Sequence, residues 1–388
     1  MPDLSGVANI VVFGVGGGGG NSVNRMKIEG LTTPKFVAAN TDLHVLNMSQ
    51  ADVRIQLGPI LTKGRGCGAD ADKGRKAAEE SREEIRRVLE GCDLLFIAAG
   101  MGGGTGTGAA PVIAQIAREM DILTIAVVTK PLLFEGAKRE QNAIQGIERL
   151  REHVDTMLIV SNERISAFVP KDTSMMAAFQ IADDVLKQGI QGITDIITTP
   201  SIINLDFADV ETILKLKGNA HIGIGIGKGD NRALDAVRQA VQSPLLETNI
   251  SGAKGMIIYV TGDKNSLTIS EVHHAAGLVK DVVDPNCNVI FGMGLDERMN
   301  NEVKVTIIAT GFDAVPKRQI KPQGYTANLN NEARIREMMN AQKQNTPPPS
   351  SYSMNAPRPA NNDGITPTLT ESAGNIPPYL QRMQEKNK

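Results

Sequence analysis

The sequence is poor in the residues that build disulfide scaffolds and aromatic surfaces. Its 388 residues include three cysteines, no tryptophan and only 3% aromatic residues. The cysteines lie far apart, and the chain has no Cys-x-x-Cys, so we expect neither a disulfide framework nor a structural zinc site. This cysteine usage is typical of a reducing compartment and predicts a cytoplasmic protein.

Charge of one sign and long apolar runs are also lacking. The net charge is −2, which argues against wholesale capture by nucleic acid or by an anionic membrane. The longest apolar runs, such as residues 94–99, are far shorter than the ~20 residues that span a bilayer. No basic region precedes the first apolar stretch, as it would in a secretory signal. We therefore predict a soluble protein with no nucleic-acid partner and no direct membrane insertion.

Glycine and proline divide the chain into a body and a tail. All but three of the 39 glycines precede residue 313, whereas ten of the 19 prolines follow it. The tail is rich in Asn, Gln, Ser and Pro, a composition that cannot bury enough apolar surface to offset its ordering entropy. We expect a disordered linker at 313–375. Residues 376–388 regain apolar side chains between Ile376 and Met383, which fits either a docking peptide or a chance cluster without a partner.

The body predicts an α/β fold with two lobes. Apolar runs at 10–13, 36–39, 94–98, 123–128 and 157–160 indicate buried strands, and helical patterns at 22–28, 73–89, 109–120 and 140–151 lie between them. This alternation implies a parallel sheet with helices on both faces. We predict a parallel-sheet lobe at 1–173, a long central helix at 174–200 and a second α/β lobe at 201–312.

Two glycine-rich loops carry the strongest functional signal. Residues 14–21 and 100–108 each follow a predicted strand and open a helix. Because glycine lacks a Cβ, successive backbone N–H groups can close around an anion, and the helix N-terminus adds partial positive charge. Both loops leave the carboxyl ends of strands, where open α/β sheets bind ligands. A tight turn needs only one or two glycines, so these runs predict a phosphate site.

The glycine pattern alone leaves the nucleotide open. Gly14, Gly16 and Gly19 fit the spacing of a dinucleotide-binding fold, but that interpretation does not explain the second loop. No segment has the G-x-x-x-x-G-K-[ST] of a P-loop, and residues 223–228, which come closest, are typical of a strand. Without a Walker lysine, phosphates must be neutralised by backbone N–H groups and a metal ion.

Three motifs, one of them within the second glycine loop, together resemble one family. They are residues 103–108, residues 134–136 with Arg139, and residues 204–210. On these motifs the chain, from Ile10 to about Phe312, resembles the tubulin/FtsZ superfamily, specifically the bacterial cell-division GTPases of the FtsZ type. The resemblance implies a GTP-binding lobe, a central helix and an activation lobe that completes the GTPase site. It also implies head-to-tail polymerisation into a cytokinetic ring at mid-cell.

The resemblance assigns roles to individual residues. Those expected to contact GTP or GDP are Gly17, Gly18, Gly19, Gly20, Asn21, Asp42, Ala69, Gly104, Thr105, Gly106, Thr107, Glu135, Arg139, Phe179 and Asp183. Glu135 would bond the ribose hydroxyls, and Asp183 would accept from the N1–H and amino group of guanine. Phe179, one turn earlier on the same helix, would cover the base. Mg²⁺ would be held mainly through the phosphates, and no protein metal site is expected.

Other interpretations of these residues remain open from the sequence. Phe179 also fits a core position, and Asp183 with Asp184 also fits a solvated pair. Asn204, Asp206 and Asp209 are the expected catalytic residues, since a positioned Asp can polarise a water for phosphoanhydride hydrolysis. Either aspartate could instead cap the following helix.

The resemblance implies that residues 204–210 complete the site of a neighbouring subunit, so that hydrolysis requires assembly. A heterologous interface of this kind grows a filament when it does not close by rotation. Membrane-tethering and regulatory division proteins would bind between Ile376 and Met383. A monomeric dinucleotide-dependent oxidoreductase and a non-catalytic nucleotide-sensing scaffold are the competing functions. The second glycine loop and the aspartate-bearing loop favour the polymerising GTPase.

Overall fold

The computed structural model describes most of the body of the chain. The described ranges are residues 8–170, 172–199, 201–241, 250, 252–263, 266–280, 283–296, 299 and 301–312. The predicted linker at 313–375 and the predicted docking peptide at 376–388 lie outside them. None of the helices within these ranges combines the length and apolar character needed to cross a membrane.

Strands and helices follow one another in mostly alternating order along the described residues. The strands are β1 Ile10–Val15, β2 Lys35–Asn40, β3 Val53–Gln56, β4 Leu94–Gly100, β5 Leu123–Lys130, β6 Thr156–Ser161, β7 Ser201–Ile203, β8 Gly218–Asn219, β9 His221–Lys228, β10 Gly255–Gly262, β11 Asn288–Leu295 and β12 Glu302–Thr310. The helices are α1 Gly16–Ile28, α2 Leu43–Asn47, α3 Pro59–Thr62, α4 Ala71–Glu80, α5 Arg82–Val88, α6 Thr105–Glu119, α7 Ala137–Arg151, α8 Asn162–Phe168, α9 Met175–Thr198, α10 Phe207–Leu214, α11 Arg232–Val241 and α12 Ile269–Lys280, with a 3₁₀ turn at Leu133–Glu135. The predicted α/β fold class is confirmed.

The first sheet has seven parallel strands in the order β3-β2-β1-β4-β5-β6-β8. Its central strands are buried on both faces, which explains their uninterrupted apolar sequences. Val12 and Phe96 pack in the core on one face, while Phe13 and Ile97 pack in the core on the other. The strand order reverses between β1 and β4, so both glycine loops leave neighbouring strands at the topological switch point.

The long helix α9 joins the two sheets through a shared core. Ile190 and Ile193 are completely buried, and they belong to one apolar cluster with Leu158 of β6 and Ile308 of β12. Ser174 caps the helix, since its hydroxyl accepts from the Ala177 N–H at 3.2 Å. The helix thus connects the edge of the first sheet to the start of the second lobe.

The second sheet has the order β7-β11-β10-β12-β9 and mixed direction. The glycines of β9 have a packing role there. A Cβ on Gly223, Gly225 or Gly227 would lie within 1.9 Å of a carbonyl oxygen of α11, so this helix rests directly on the strand. The segment that most nearly matched a P-loop is therefore a strand, as predicted.

Candidate functional site

The carboxyl end of the first sheet opens into a cleft of ≈ 980 Å³. Its walls come from the two glycine loops, from α1 and α9, and from the segments that follow β5 and β6. Ten of the residues predicted to contact the nucleotide line this cleft: Gly17, Gly18, Asn21, Gly104, Thr105, Gly106, Glu135, Arg139, Phe179 and Asp183. The fold thus brings together residues that lie up to 166 positions apart in the sequence.

The two glycine loops touch each other at the floor of the cleft. Gly16 has φ +71°, and a Cβ there would lie 2.9 Å from the Gly106 nitrogen. A Cβ on Gly106 would lie 2.6 Å from the Gly100 carbonyl oxygen of its own loop and 3.4 Å from the Val15 carbonyl oxygen of the first loop, so the contact leaves no room for a side chain. A Cβ on Gly17 or Gly103, in contrast, would meet nothing within 4 Å. The loops therefore form a backbone cradle with open space above it.

Helix α6 directs its N-terminus into this cradle. Its N-cap is Gly104, and no side chain caps it. The N–H groups of the first turn are therefore not occupied by a capping side chain, and a helix N-terminus with this arrangement favours an anion. The Thr105 hydroxyl is hydrogen-bonded to the buried Thr41 hydroxyl, 2.7 Å away, which ties the helix start to the segment after β2. This end of the cleft fits the phosphates.

Five predicted contact residues do not line the cleft: Gly19, Gly20, Asp42, Ala69 and Thr107. A Cβ on Gly19 would lie 2.1 Å from the Ala98 carbonyl oxygen, so this glycine lets α1 approach β4. The Asp42 carboxylate accepts from the N–H groups of His44 and Val45 and caps α2. The Thr107 hydroxyl accepts from the Gly102 N–H at 2.8 Å and braces the second loop.

The wall of the cleft formed by α9 presents a carboxylate. Asp183 Oδ1 accepts a hydrogen bond from the Ser22 hydroxyl at 2.6 Å, and Oδ2 lies 3.5 Å from Arg25 Nε. Burial raises the pKa of Asp183, and the Ser22 hydrogen bond and the Arg25 charge oppose that rise. A carboxylate held in this way can accept from two donors on one edge of a base.

Glu135, Arg139 and Phe179 line the sides of the cleft. Glu135 accepts from the Leu132 N–H at 2.9 Å and is paired with Arg139, one turn further along the chain. Phe179 is 43% exposed, so it is not a core residue but an aromatic ring at the cleft. An exposed ring in this position can cover a flat base.

The sequence did not identify seven polar residues of the cleft, which are Ser22, Asn24, Arg25, Glu29, Thr129, Asn162 and Gln180. Asn162 begins α8 directly after β6, and its Oδ1 is buried with no hydrogen-bond partner among the described residues. Its position at the carboxyl end of a parallel strand is the signal that could have found it. A buried acceptor without a partner costs free energy, and a donor on a bound base would satisfy it.

The expected catalytic residues lie elsewhere, at the start of the second lobe. Asn204 and Asp206 are exposed and Asp209 is half-buried, and none of the three lines the cleft. Asp206 is the N-cap of α10 and accepts from the Asp209 N–H at 2.8 Å. Asp209 in return accepts from the Asp206 N–H at 3.2 Å. This reciprocal capping box shows that both aspartates cap α10, and it holds both carboxylates at an exposed helix N-terminus. Their catalytic role stays a prediction.

Protein ligands for a metal are not clustered in the described part of the chain. No group of three or more His, Cys, Asp or Glu side chains there could hold a metal ion. Asp42 and Asp70, the two carboxylates in the segments between the glycine loops that were expected near the phosphates, each cap a helix. The backbone cradle fits a nucleotide, and a cation would be held chiefly by its phosphates.

Comparisons with known proteins identify the family. Residues 9–170 match the tubulin/FtsZ family, GTPase domain, and residues 218–313 match the FtsZ family, C-terminal domain. An FtsZ dimer from M. jannaschii is 42% identical, with a TM-score of 0.73 over 79% of this chain and 89% of that chain.

Two other solved structures share the fold at 20% identity. CetZ1 from Haloferax volcanii, a GDP-bound monomer, has a TM-score of 0.69 over 79% of this chain and 96% of that chain. CetZ2 from the same organism, a GTPγS-bound protofilament, has a TM-score of 0.68 over 86% of this chain and 99% of that chain. The family matches and the 42% identity to FtsZ together show that this chain belongs to the tubulin/FtsZ family of GTPases, in its FtsZ branch.

Proposed function

We propose that this protein is a GTP-dependent cytoskeletal GTPase that polymerises head to tail and forms the cytokinetic ring of a bacterial cell. It hydrolyses GTP to GDP and phosphate at the interface between subunits. One observation carries the proposal: the cleft that fits a nucleotide and the carboxylates that fit hydrolysis are separate surfaces of one chain. A second copy could bring them together. The relative from M. jannaschii, described as a dimer, supports self-association.

Different parts of the cleft bind the phosphates, the ribose and the base of GTP. The backbone cradle of the glycine loops and the N-terminus of α6 bind the phosphates. Glu135 accepts from the ribose hydroxyls, with Arg139 at the same edge. Asp183 accepts hydrogen bonds from the N1–H and amino group of guanine. The buried Oδ1 of Asn162 accepts a hydrogen bond from a donor on the base. Adenine has no donor at N1 and therefore fits this carboxylate poorly.

Hydrolysis requires a water to attack the γ-phosphorus in line with the departing GDP. In the proposal, Asp206 and Asp209 of the next subunit orient this water and accept its proton. The capping box serves this role because it fixes both carboxylates before assembly, so that little reorganisation remains at the moment of reaction. Mg²⁺ would be held through the phosphates of the nucleotide and would supply positive charge beside their oxygens. An isolated subunit then binds GTP but hydrolyses it slowly.

The apolar residues between Ile376 and Met383 are proposed as the contact for membrane-tethering and regulatory division proteins. The support is their sequence alone, an apolar cluster behind a long polar segment. Removal of residues 376–388 should leave assembly with GTP unchanged while it abolishes recruitment to vesicles by a tethering partner. A shortened protein that cannot polymerise would contradict this division of roles.

Light scattering after addition of nucleotide tests the proposed function. Scattering should rise with GTP and decay as GTP is consumed, and it should stay flat with GDP. Binding of NADH without a rise in scattering would favour the monomeric dinucleotide-dependent oxidoreductase. Tight GTP binding without scattering or turnover would favour the nucleotide-sensing scaffold. A fluorescent fusion that forms a band at mid-cell would support the ring, whereas a diffuse signal in dividing cells would contradict it.

A further inference from the structure

Ser22 connects the first glycine loop with the carboxylate at the base end of the cleft. The residue lies in the second turn of α1 and is 1% exposed. Its hydroxyl donates to Asp183 Oδ1 at 2.6 Å, and the Gly18 carbonyl oxygen is 3.2 Å from the same hydroxyl. A hydroxyl has one proton to donate, and the shorter bond goes to the carboxylate. This contact joins α1 to α9 across 161 positions of sequence.

Among the described residues, the carboxylate of Asp183 has one partner on each oxygen. Ser22 occupies one site on Oδ1, and Arg25 Nε lies 3.5 Å from Oδ2, beyond a short hydrogen bond. A carboxylate oxygen can accept about two hydrogen bonds, so acceptor capacity remains for a ligand in the cleft. Ser22 is therefore the closer of the two groups that set the rotation of this carboxylate.

We propose that Ser22 is a positioning residue for base selection, whose hydroxyl orients the Asp183 carboxylate so that it accepts two donors from one base edge. The inference rests on the proposed function, since it requires Asp183 to recognise guanine. Ser22 itself need not touch the nucleotide base for this role. Without its hydroxyl, the carboxylate keeps only the longer contact to Arg25 and can rotate away from the geometry that two donors require.

The same hydrogen bond favours the ionised carboxylate. Burial raises the pKa of Asp183, and the nearby Glu29 carboxylate raises it further, while Ser22 and Arg25 lower it. On α9, Asp184 and Lys187 flank Asp183, and Lys187 is paired with Glu29. A protonated carboxyl cannot accept from both donors. Loss of Ser22 should therefore shift the loss of GTP affinity on acidification to a higher pH.

The test compares GTP and ATP affinities of four proteins between pH 5.5 and pH 8. They are the unmodified protein, Ser22→Ala, Ser22→Cys and the control Ser81→Ala. Ser22→Cys nearly keeps the side-chain volume but replaces the hydroxyl with a weak donor. Ser81 is 6% exposed and makes hydrogen bonds to Gly58 and Gln56, away from the cleft, so its replacement costs packing without touching Asp183.

We expect the Ser22 variants to change the selectivity between GTP and ATP, not to lose affinity for both nucleotides equally. Both Ser22 variants should lose about tenfold in the ratio of GTP to ATP affinity, the loss that follows from one charge-assisted hydrogen bond. Their GTP affinity should also begin to fall at a higher pH than that of the unmodified protein. Ser81→Ala should keep the ratio and the pH profile even if its melting temperature falls.

The alternative outcomes separate this inference from the function on which it rests. Equal weakening of GTP and ATP in both Ser22 variants would show a packing role and overturn the inference. An unchanged ratio in a folded Ser22→Cys protein would overturn it as well. If the unmodified protein binds ATP as tightly as GTP, it is the proposed recognition of guanine by Asp183 that fails.

Discussion

Replacement of Gly74 by alanine tests whether helix α4 supports the second glycine loop, which forms part of the proposed phosphate cradle. Gly74 lies in α4, where a Cβ would be 2.3 Å from the Gly104 carbonyl oxygen. Carbon and oxygen atoms in contact need about 3.3 Å, so the second glycine loop would have to move by roughly 1 Å. Gly104 lines the cleft and caps α6, and the displacement would reach the phosphate site directly.

The expected magnitude follows from two opposing effects. Alanine in place of glycine inside a helix stabilises by about 1 kcal/mol, whereas overpacking of a buried position costs ~1–3 kcal/mol. Gly74→Ala should therefore be destabilised by up to ~2 kcal/mol. A displacement of ~1 Å in a reacting group can cost about 10²-fold in rate, and we expect GTP turnover to fall by this order.

Gly277→Ala is the matched control. Gly277 also lies inside a helix, α12, but a Cβ there meets nothing within 4 Å. This variant should gain about 1 kcal/mol and keep its GTP turnover. Urea unfolding and a phosphate-release assay measure both quantities. Equal stability of the two variants, with normal turnover in Gly74→Ala, would refute the argument that α4 supports the loop.

Three further predictions concern carboxylates. Asp209→Ala should bind GTP and form filaments that persist, because loss of a positioned acid–base group lowers turnover by ~10²–10⁴. Normal GTP turnover in this variant would refute the catalytic role of Asp209. Glu211→Ala on the same helix is the control. Burial, and to a smaller extent the Glu29 charge, raises the pKa of Asp184 from 3.8 to about 6. Because the folded protein binds this proton more tightly than the unfolded chain, the free energy of unfolding should decline as pH rises between these two values. Asp184→Asn should remove this decline in urea unfolding, and an unchanged pH profile would contradict it. The hydrogen bond from Arg232, which is 5% exposed, lowers the pKa of Glu271 from 4.5 to about 2. Glu271→Gln should therefore lower the free energy of unfolding by up to ~3 kcal/mol at neutral pH, and by progressively less as pH falls from 4.5 to about 2. A loss of stability that does not depend on pH would count against the ion pair.

The sequence predicted best those elements that are buried on both sides. The strand at residues 94–98 is an unbroken apolar run, and the structure extends it only to Gly100. The start of α1 was predicted too late, at Ser22, because a run of glycines has low helix propensity. The structure begins the helix at Gly16, since close contacts that only glycine permits hold the loop against β4 and α6.

Interruptions caused by tertiary contacts could not be predicted from periodicity. The pattern at 73–89 indicates one helix, but the structure has α4 and α5 with a break at Ser81. The Ser81 hydroxyl accepts from the Gly58 N–H and donates to the Gln56 carbonyl, so a distant segment holds the backbone at the break. The strand at 53–56 was missed because it is a short edge strand with two polar residues.

For the site, the motifs predicted residues that line the cleft better than the residues that hold them in place. Ten of the expected residues line the cleft. The contact of Ser22 with Asp183 depends on how α1 packs against α9, and no local pattern encodes it. Likewise, the capping role of Asp206 was open from the sequence, because a cap and a catalytic carboxylate require the same residue type at a helix start.

The central claim is that one chain supplies the nucleotide site and a second chain supplies the carboxylates. The most direct measurement is GTP turnover per molecule as a function of protein concentration, with light scattering recorded on the same samples. We expect the specific activity to fall steeply below a critical concentration, at which scattering also disappears. Constant specific activity across this range, in samples without filaments, would place hydrolysis within a single chain and contradict a shared site.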